Sequence, residues 1–92
     1  MPRDEPLTVA QADGWVEATS EAVASIDLFS VNGARPLLSR FQDTAPSTDD
    51  PADGVPWQPG QAEKDMTMPG GATTRLWVRA PWGDTTCYVK HA

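Results

Sequence analysis

Thr73-Thr74-Arg75-Leu76-Trp77-Val78-Arg79-Ala80 is the stretch whose reading decides the fold class. It alternates with period two, so an extended chain sets Leu76, Val78 and Ala80 on an inward face and Arg75, Trp77 and Arg79 on the opposite one, as in a half-buried β-strand. Pro69-Gly70-Gly71 punctuates the chain just before it. Ala80-Pro81-Trp82-Gly83 follows it, with Pro and Gly where a type I turn places them. The chain then resumes β-type residues in Thr85-Thr86-Cys87-Tyr88-Val89-Lys90.

Earlier segments repeat the pattern. Ser25-Ile26-Asp27-Leu28-Phe29-Ser30-Val31 alternates, with Ile26 and Leu28 expected on one face and Phe29 and Val31 on the other. Asn32-Gly33 comes next, a dipeptide that favours positive φ and predicts a hairpin returning through Leu37-Leu38-Ser39-Arg40-Phe41, with Pro36 at the strand entrance or on an edge. Gly14-Trp15-Val16-Glu17-Ala18-Thr19 alternates weakly, and in Gln61 to Met68 the residues Ala62, Lys64, Met66 and Met68 share one parity. Ser20-Glu21-Ala22-Val23-Ala24 contains helix formers, but its β-branched and aromatic flanks favour strand, turn, strand. The spacing predicts six strands, or seven if Leu7-Thr8-Val9-Ala10 pairs. The expected fold is all-β: a small antiparallel β-sandwich or barrel over residues 13–92, preceded by a flexible arm over residues 1–12. Residues 43–60 are rich in Pro and Asp and read as a long loop, a length that in so small a domain suggests a binding role or partial disorder.

The chain has 92 residues and twenty-two large apolar side chains counting the two internal methionines, so the core is thin. Docking on a neighbour or forming a homo-oligomer would add stability. The formal charge is −6, with cations scattered at positions 3, 35, 40, 64, 75, 79 and 90. A basic face of the kind that releases counterions is missing, which makes nucleic acid and anionic membranes poor partners. No apolar run is long enough for a membrane span or a secretory h-region, so a chain made and kept in solution in a cytosol is expected. One cysteine forbids an internal disulfide.

The inventory for chemistry is short. His91 is the only histidine and is penultimate, which predicts a frayed tail residue rather than a catalytic one. Cys87 shares strand parity with Val89 and reads as a buried, inert thiol. Asp49, Asp50, Asp53 and Gly54 resemble the start of a calcium loop, but that spacing puts Pro51 at the third position and Gly60 at the twelfth, where a bidentate Glu belongs. One Cys and one His cannot assemble a zinc site. Neither an enzyme nor a cofactor is expected.

The tryptophans remain. Trp15 and Trp77 fall in strand segments and read as core or half-core. Trp57, within Val55-Pro56-Trp57-Gln58-Pro59-Gly60, and Trp82, at the tip of the Pro81 turn, are the two that a loop could expose. An exposed indole calls for a protein groove or a sugar ring. The candidate partner-binding residues are therefore Trp82, Trp57, Pro81 and Val55.

Three features together resemble the small β-sandwich virion proteins of tailed bacteriophages. They are the tryptophan-led opening strand with its Asn-Gly turn, the phrase Gly54-Val55-Pro56-Trp57-Gln58-Pro59-Gly60 after a Pro/Asp-rich loop, and the closing Leu76-Trp77-Val78-Arg79-Ala80 followed by Gly83-Asp84-Thr85. The resemblance spans residues 13 to 90. The long acidic loop and the Pro81-Trp82 tip depart from the group's usual pattern. It implies a non-enzymatic structural protein, most specifically a capsid decoration or stabilising protein. Such a protein would bind a major capsid protein or another virion protein and be located in the virion after assembly in a bacterial cytoplasm. A glycan-binding module on a tail or fibre is the alternative, with Trp57 and Trp82 as stacking platforms. In either case strand addition at a sheet edge or insertion of the Trp82 tip would make the contact.

Overall fold

The computed structural model describes residues 3–46, 54–68 and 74–92. Eight strands follow in order: β1 (Arg3–Val9), β2 (Val16–Glu17), β3 (Ser25–Val31), β4 (Leu37–Gln42), β5 (Val55–Trp57), β6 (Ala62–Thr67), β7 (Arg75–Arg79) and β8 (Thr85–His91), with a 3-10 turn at Gln11–Asp13. They form two antiparallel four-stranded sheets, β1-β8-β3-β6 and β2-β7-β4-β5. The fold is the expected sandwich, with eight strands in place of six or seven.

The extra strands come from two places. The segment expected as a flexible arm supplies β1, which pairs with β8 along its whole length from Arg3↔His91 to Val9↔Thr85. Its inward residues Leu7 and Val9 join the core, and that burial holds a terminus in place that polar Arg3-Asp4-Glu5 gives no reason to order. The expected loop over 43–60 ends in β5, where Val55, Pro56 and Trp57 pair with Ser39, Leu38 and Leu37. Asp49, Asp50 and Asp53 lie outside the described residues, as does the Pro69-Gly70-Gly71 turn. Ser20–Ala24 is neither helix nor strand. It is a bend held by Ala18 N–H to Leu76 O at 2.8 Å and Val23 N–H to Thr74 O at 3.1 Å.

The pattern in β7 is as predicted: Leu76 and Val78 are fully buried between the sheets while Arg75, Trp77 and Arg79 face outward. In β3 it is not. Ile26, Phe29 and Val31 all enter the core, and Leu28 is left half-buried on the other side. Two residues separate Ile26 from Phe29 where strict alternation requires one, so the pleat is broken between them. The cause lies in the partner strand. The β3–β6 register would set Asp27 opposite Asp65, yet the ladder is interrupted at that one position, and Asp65 adopts φ 51°. Like charges directly opposite are unfavourable, and a left-handed Asp turns its carboxylate out of the ladder. Asp65→Asn keeps a residue that tolerates this φ and removes the repulsion, so it is expected to stabilise the fold by about 0.5 kcal/mol at low salt. The gain should shrink in high salt. Urea denaturation at two ionic strengths checks both signs.

The two turns that look like hairpins in the sequence are not hairpins. Asn32-Gly33 carries the chain from β3 in one sheet to β4 in the other, and Pro81-Trp82 carries it from β7 back to β8. Gly33 is required for space instead of for positive φ. Its N–H and that of Asn32 both donate to Thr86 O at 3.1 Å, so the crossing strand presses directly on β8.

Candidate docking site

Strand order and antiparallel pairing put four sheet-to-sheet crossings at the same end of the sandwich: β1 to β2, β3 to β4, β5 to β6 and β7 to β8. Hydrogen bonds lace this end together. Gln11 N–H donates to Asp84 Oδ1 at 2.8 Å, and the Gln11 side-chain amide donates to Pro81 O at 2.9 Å. The Thr85 hydroxyl donates to Arg35 O at 2.8 Å, and Gly60 N–H donates to Val31 O at 2.7 Å. The Arg35 guanidinium reaches Trp82 O at 3.4 Å, and its side chain lies along Gly83, which has φ 133°. The turn is closed by Gly83 N–H to Ala80 O at 3.4 Å.

The result is a turn whose backbone is tied to two other crossings while its indole is left out. Trp82 is 49% exposed, and Pro81 beside it is half-buried. A large aromatic whose backbone is already held needs little further backbone ordering on binding.

The other candidates are placed elsewhere. Val55 is 53% exposed but opens β5 at the edge of the second sheet, two positions before that strand ends at Trp57. Trp57 is a correction: it is only 5% exposed and belongs to the core. Its ring meets Phe29 edge-on, with centroids 4.8 Å apart and planes at 82°, and its N–H donates to Ser39 Oγ at 2.8 Å. The Pro-rich phrase around it reads as loop, but pairing with Leu37 turns the indole inward. Trp57 and Trp82 therefore cannot act as a pair of stacking platforms. Arg35, Gln11 and Asp84, which hold the tip, carry no local signal in the sequence. Gln11 and Asp84 meet across 73 positions.

His91 is also corrected. It is 2% exposed, inward on β8, which lies between β1 and β3. Its Nε2 accepts the Ser20 backbone N–H at 3.1 Å and lies 3.3 Å from Ser20 Oγ, while Nδ1 lies 2.9 Å from Ala92 O. Acceptance of an N–H fixes the neutral tautomer with the proton on Nδ1. A serine beside an imidazole has the atom types of a nucleophile and its base, but here the backbone amide already occupies Nε2. What this arrangement does is latch the Ser20 bend to the last strand.

Cys87 is buried, as expected. Burial pushes its thiol up to about 12 from 9.0, against a smaller downward pull from the Arg3 guanidinium. The native thiol is therefore expected to resist maleimide at pH 8 and to react at once in denaturant. The same shift has a stability consequence with a definite sign. Between pH 9.0 and about 12 the unfolded thiol ionises while the native one keeps its proton. Stability attributable to this group is complete below that window and falls by up to about 1.4 kcal/mol per pH unit within it.

Among the described residues no set of three or more His, Cys, Asp and Glu side chains converges as a metal site would need. No family model, curated protein or solved structure matches this chain.

Proposed function

We propose that this chain is a non-enzymatic adhesive module that docks on a larger protein assembly through the Trp82 tip. In its specific form the proposal is a decoration or stabilising protein on the shell of a tailed-phage virion. The single observation that carries the docking reading is a half-exposed indole on a turn anchored by Gln11, Arg35 and Asp84. The virion assignment rests on the sequence resemblance.

The sheet edges favour insertion of the tip over strand addition. Pro6 interrupts the donor row of β1, Pro56 that of β5, β2 has two residues, and β6 carries Glu63, Lys64 and the kinked Asp65. Each of these is a device that discourages pairing with another strand.

Trp82→Ala is expected to weaken binding to shell particles by about 30-fold or more, since buried tryptophans are typical interface anchors. Its stability should change by less than about 0.5 kcal/mol. Copies per particle, counted on purified virions incubated with excess protein, give the readout. A chain absent from particles, or bound equally well by wild type and Trp82→Ala, rejects this function. Selective retention on a glycan array that is lost in Trp82→Ala supports the glycan-binding alternative in its place.

A further inference from the structure

Asn32-Gly33, at the crossing from β3 to β4, carries a covalent chemistry separate from its place in the fold. Asn32 is the only asparagine of the chain, and asparagine is a thermolabile residue. Its side chain loses ammonia when the backbone nitrogen of the next residue gives up its proton and attacks Cγ. A following glycine obstructs that attack least, because it has no Cβ. The reaction needs a free nitrogen and a main chain able to turn it onto Cγ.

The folded chain leaves the side chain in water and withholds the nitrogen. Asn32 is exposed. Gly33 N–H is committed to Thr86 O at 3.1 Å, and Asn32 N–H to the same oxygen at 3.1 Å. On one side Val31 is fastened by its N–H to Gln61 O at 2.9 Å and by its carbonyl to Gly60 N–H at 2.7 Å. On the other, Arg35 O accepts the Thr85 hydroxyl at 2.8 Å. Gly33 lies so close to β8 that a methyl group on it would stand 2.5 Å from the Thr86 nitrogen. A hydrogen-bonded amide gives up its proton only when the bond opens, as in hydrogen exchange.

We propose that Asn32 is a site of spontaneous covalent modification, gated by the lifting of the β3–β4 crossing from β8. In the open crossing the Gly33 nitrogen, its proton passed to hydroxide, bonds to Asn32 Cγ. The Cγ–Nδ2 bond breaks, and ammonia leaves with a proton taken from water. The product is a five-membered succinimide. Water then adds to either ring carbonyl, and breaking of that carbonyl's C–N bond leaves aspartate or isoaspartate with no change in oxidation state. Both products add one negative charge to a chain at −6. Isoaspartate also routes the main chain through the side-chain carbons, inserting a methylene where Gly33 has no room to move. The lengthened chain cannot restore both bonds to Thr86 O, so the modification makes a transient opening permanent. The inference does not depend on the Trp82 reading.

The test ages the full chain at pH 8 with and without urea. Loss of the Asn32 side-chain amide resonances and intact mass follow the reaction, and peptide mapping separates the two products. Loss is expected to be about 30-fold or more slower in the folded chain than in urea. The same factor should separate the Gly33 amide exchange rates under the two conditions, since one opening exposes both. Thr85→Val keeps the reactive pair, removes the bond to Arg35 O, and should raise both rates by about threefold or more. If it does not fold, urea below the unfolding transition replaces it and should raise both rates in parallel. The purified isoaspartyl chain should exchange its Gly33 amide about tenfold or more faster than the unmodified chain. Deamidation as fast in the folded chain as in urea, a rate that does not follow Gly33 exchange, or an isoaspartyl product with undiminished protection overturns the proposal.

Discussion

Trp57→Ala is expected to cost about 4–5 kcal/mol, a large share of the stability of a domain whose total is of order 5–15 kcal/mol. The loss has three sources. The indole fills the space between the sheets and touches Phe29 edge-on at 4.8 Å, so truncation leaves a cavity beside a fully buried ring. Its N–H bond to Ser39 Oγ at 2.8 Å disappears. Ser39 Oγ also donates to Val55 O at 3.2 Å, so the indole, β4 and β5 form one short chain of hydrogen bonds that holds the edge strand. Urea denaturation with near-ultraviolet circular dichroism measures the effect. Trp82→Ala is the control, and equal losses in the two variants would show that the burial difference between these tryptophans is wrong.

Gly33→Ala should cost about 2–4 kcal/mol, in a residue that sequence inspection would assign to an exposed turn. A methyl group there would overlap Thr85 Oγ1 and stand 2.5 Å from the Thr86 backbone nitrogen and 2.9 Å from Thr85 Cβ. Neither neighbour can easily withdraw. The Thr85 hydroxyl is committed to Arg35 O at 2.8 Å, and Thr86 O accepts both Asn32 and Gly33 N–H at 3.1 Å. Relief therefore requires the crossing strand to lift from β8, losing those bonds and loosening the anchorage of the Trp82 tip. Gly60→Ala makes the comparison. Its methyl would meet open space, and φ 88° limits the cost to about 1–2 kcal/mol of backbone strain. Hydrogen exchange at the Asn32 and Gly33 amides should speed up in Gly33→Ala and stay unchanged in Gly60→Ala. If Gly33→Ala costs no more than Gly60→Ala, the close approach to β8 is refuted.

What the sequence determined by itself is what depends on near neighbours along the chain. The alternation over Arg75–Arg79 names its inward face correctly, because the pleat has period two whatever the strand pairs with. Pro36 stands just before β4, and the Pro81-Gly83 turn forms, because their backbone preferences are local. Tertiary structure decided everything that required a partner. A turn signal fixes a change of direction and says nothing about which sheet receives the chain, so Asn32-Gly33 and Pro81-Trp82 prove to be crossings. Trp57 and Trp82 each follow a proline directly, yet pairing with Leu37 buries one while anchors from Gln11 and Arg35 present the other. His91 looks like a loose end until β1, from the opposite terminus, lies beside it and places its strand inside the sheet. Burial is a property of who packs against a residue, and here the packing partners come from up to 88 positions away, as in Arg3↔His91.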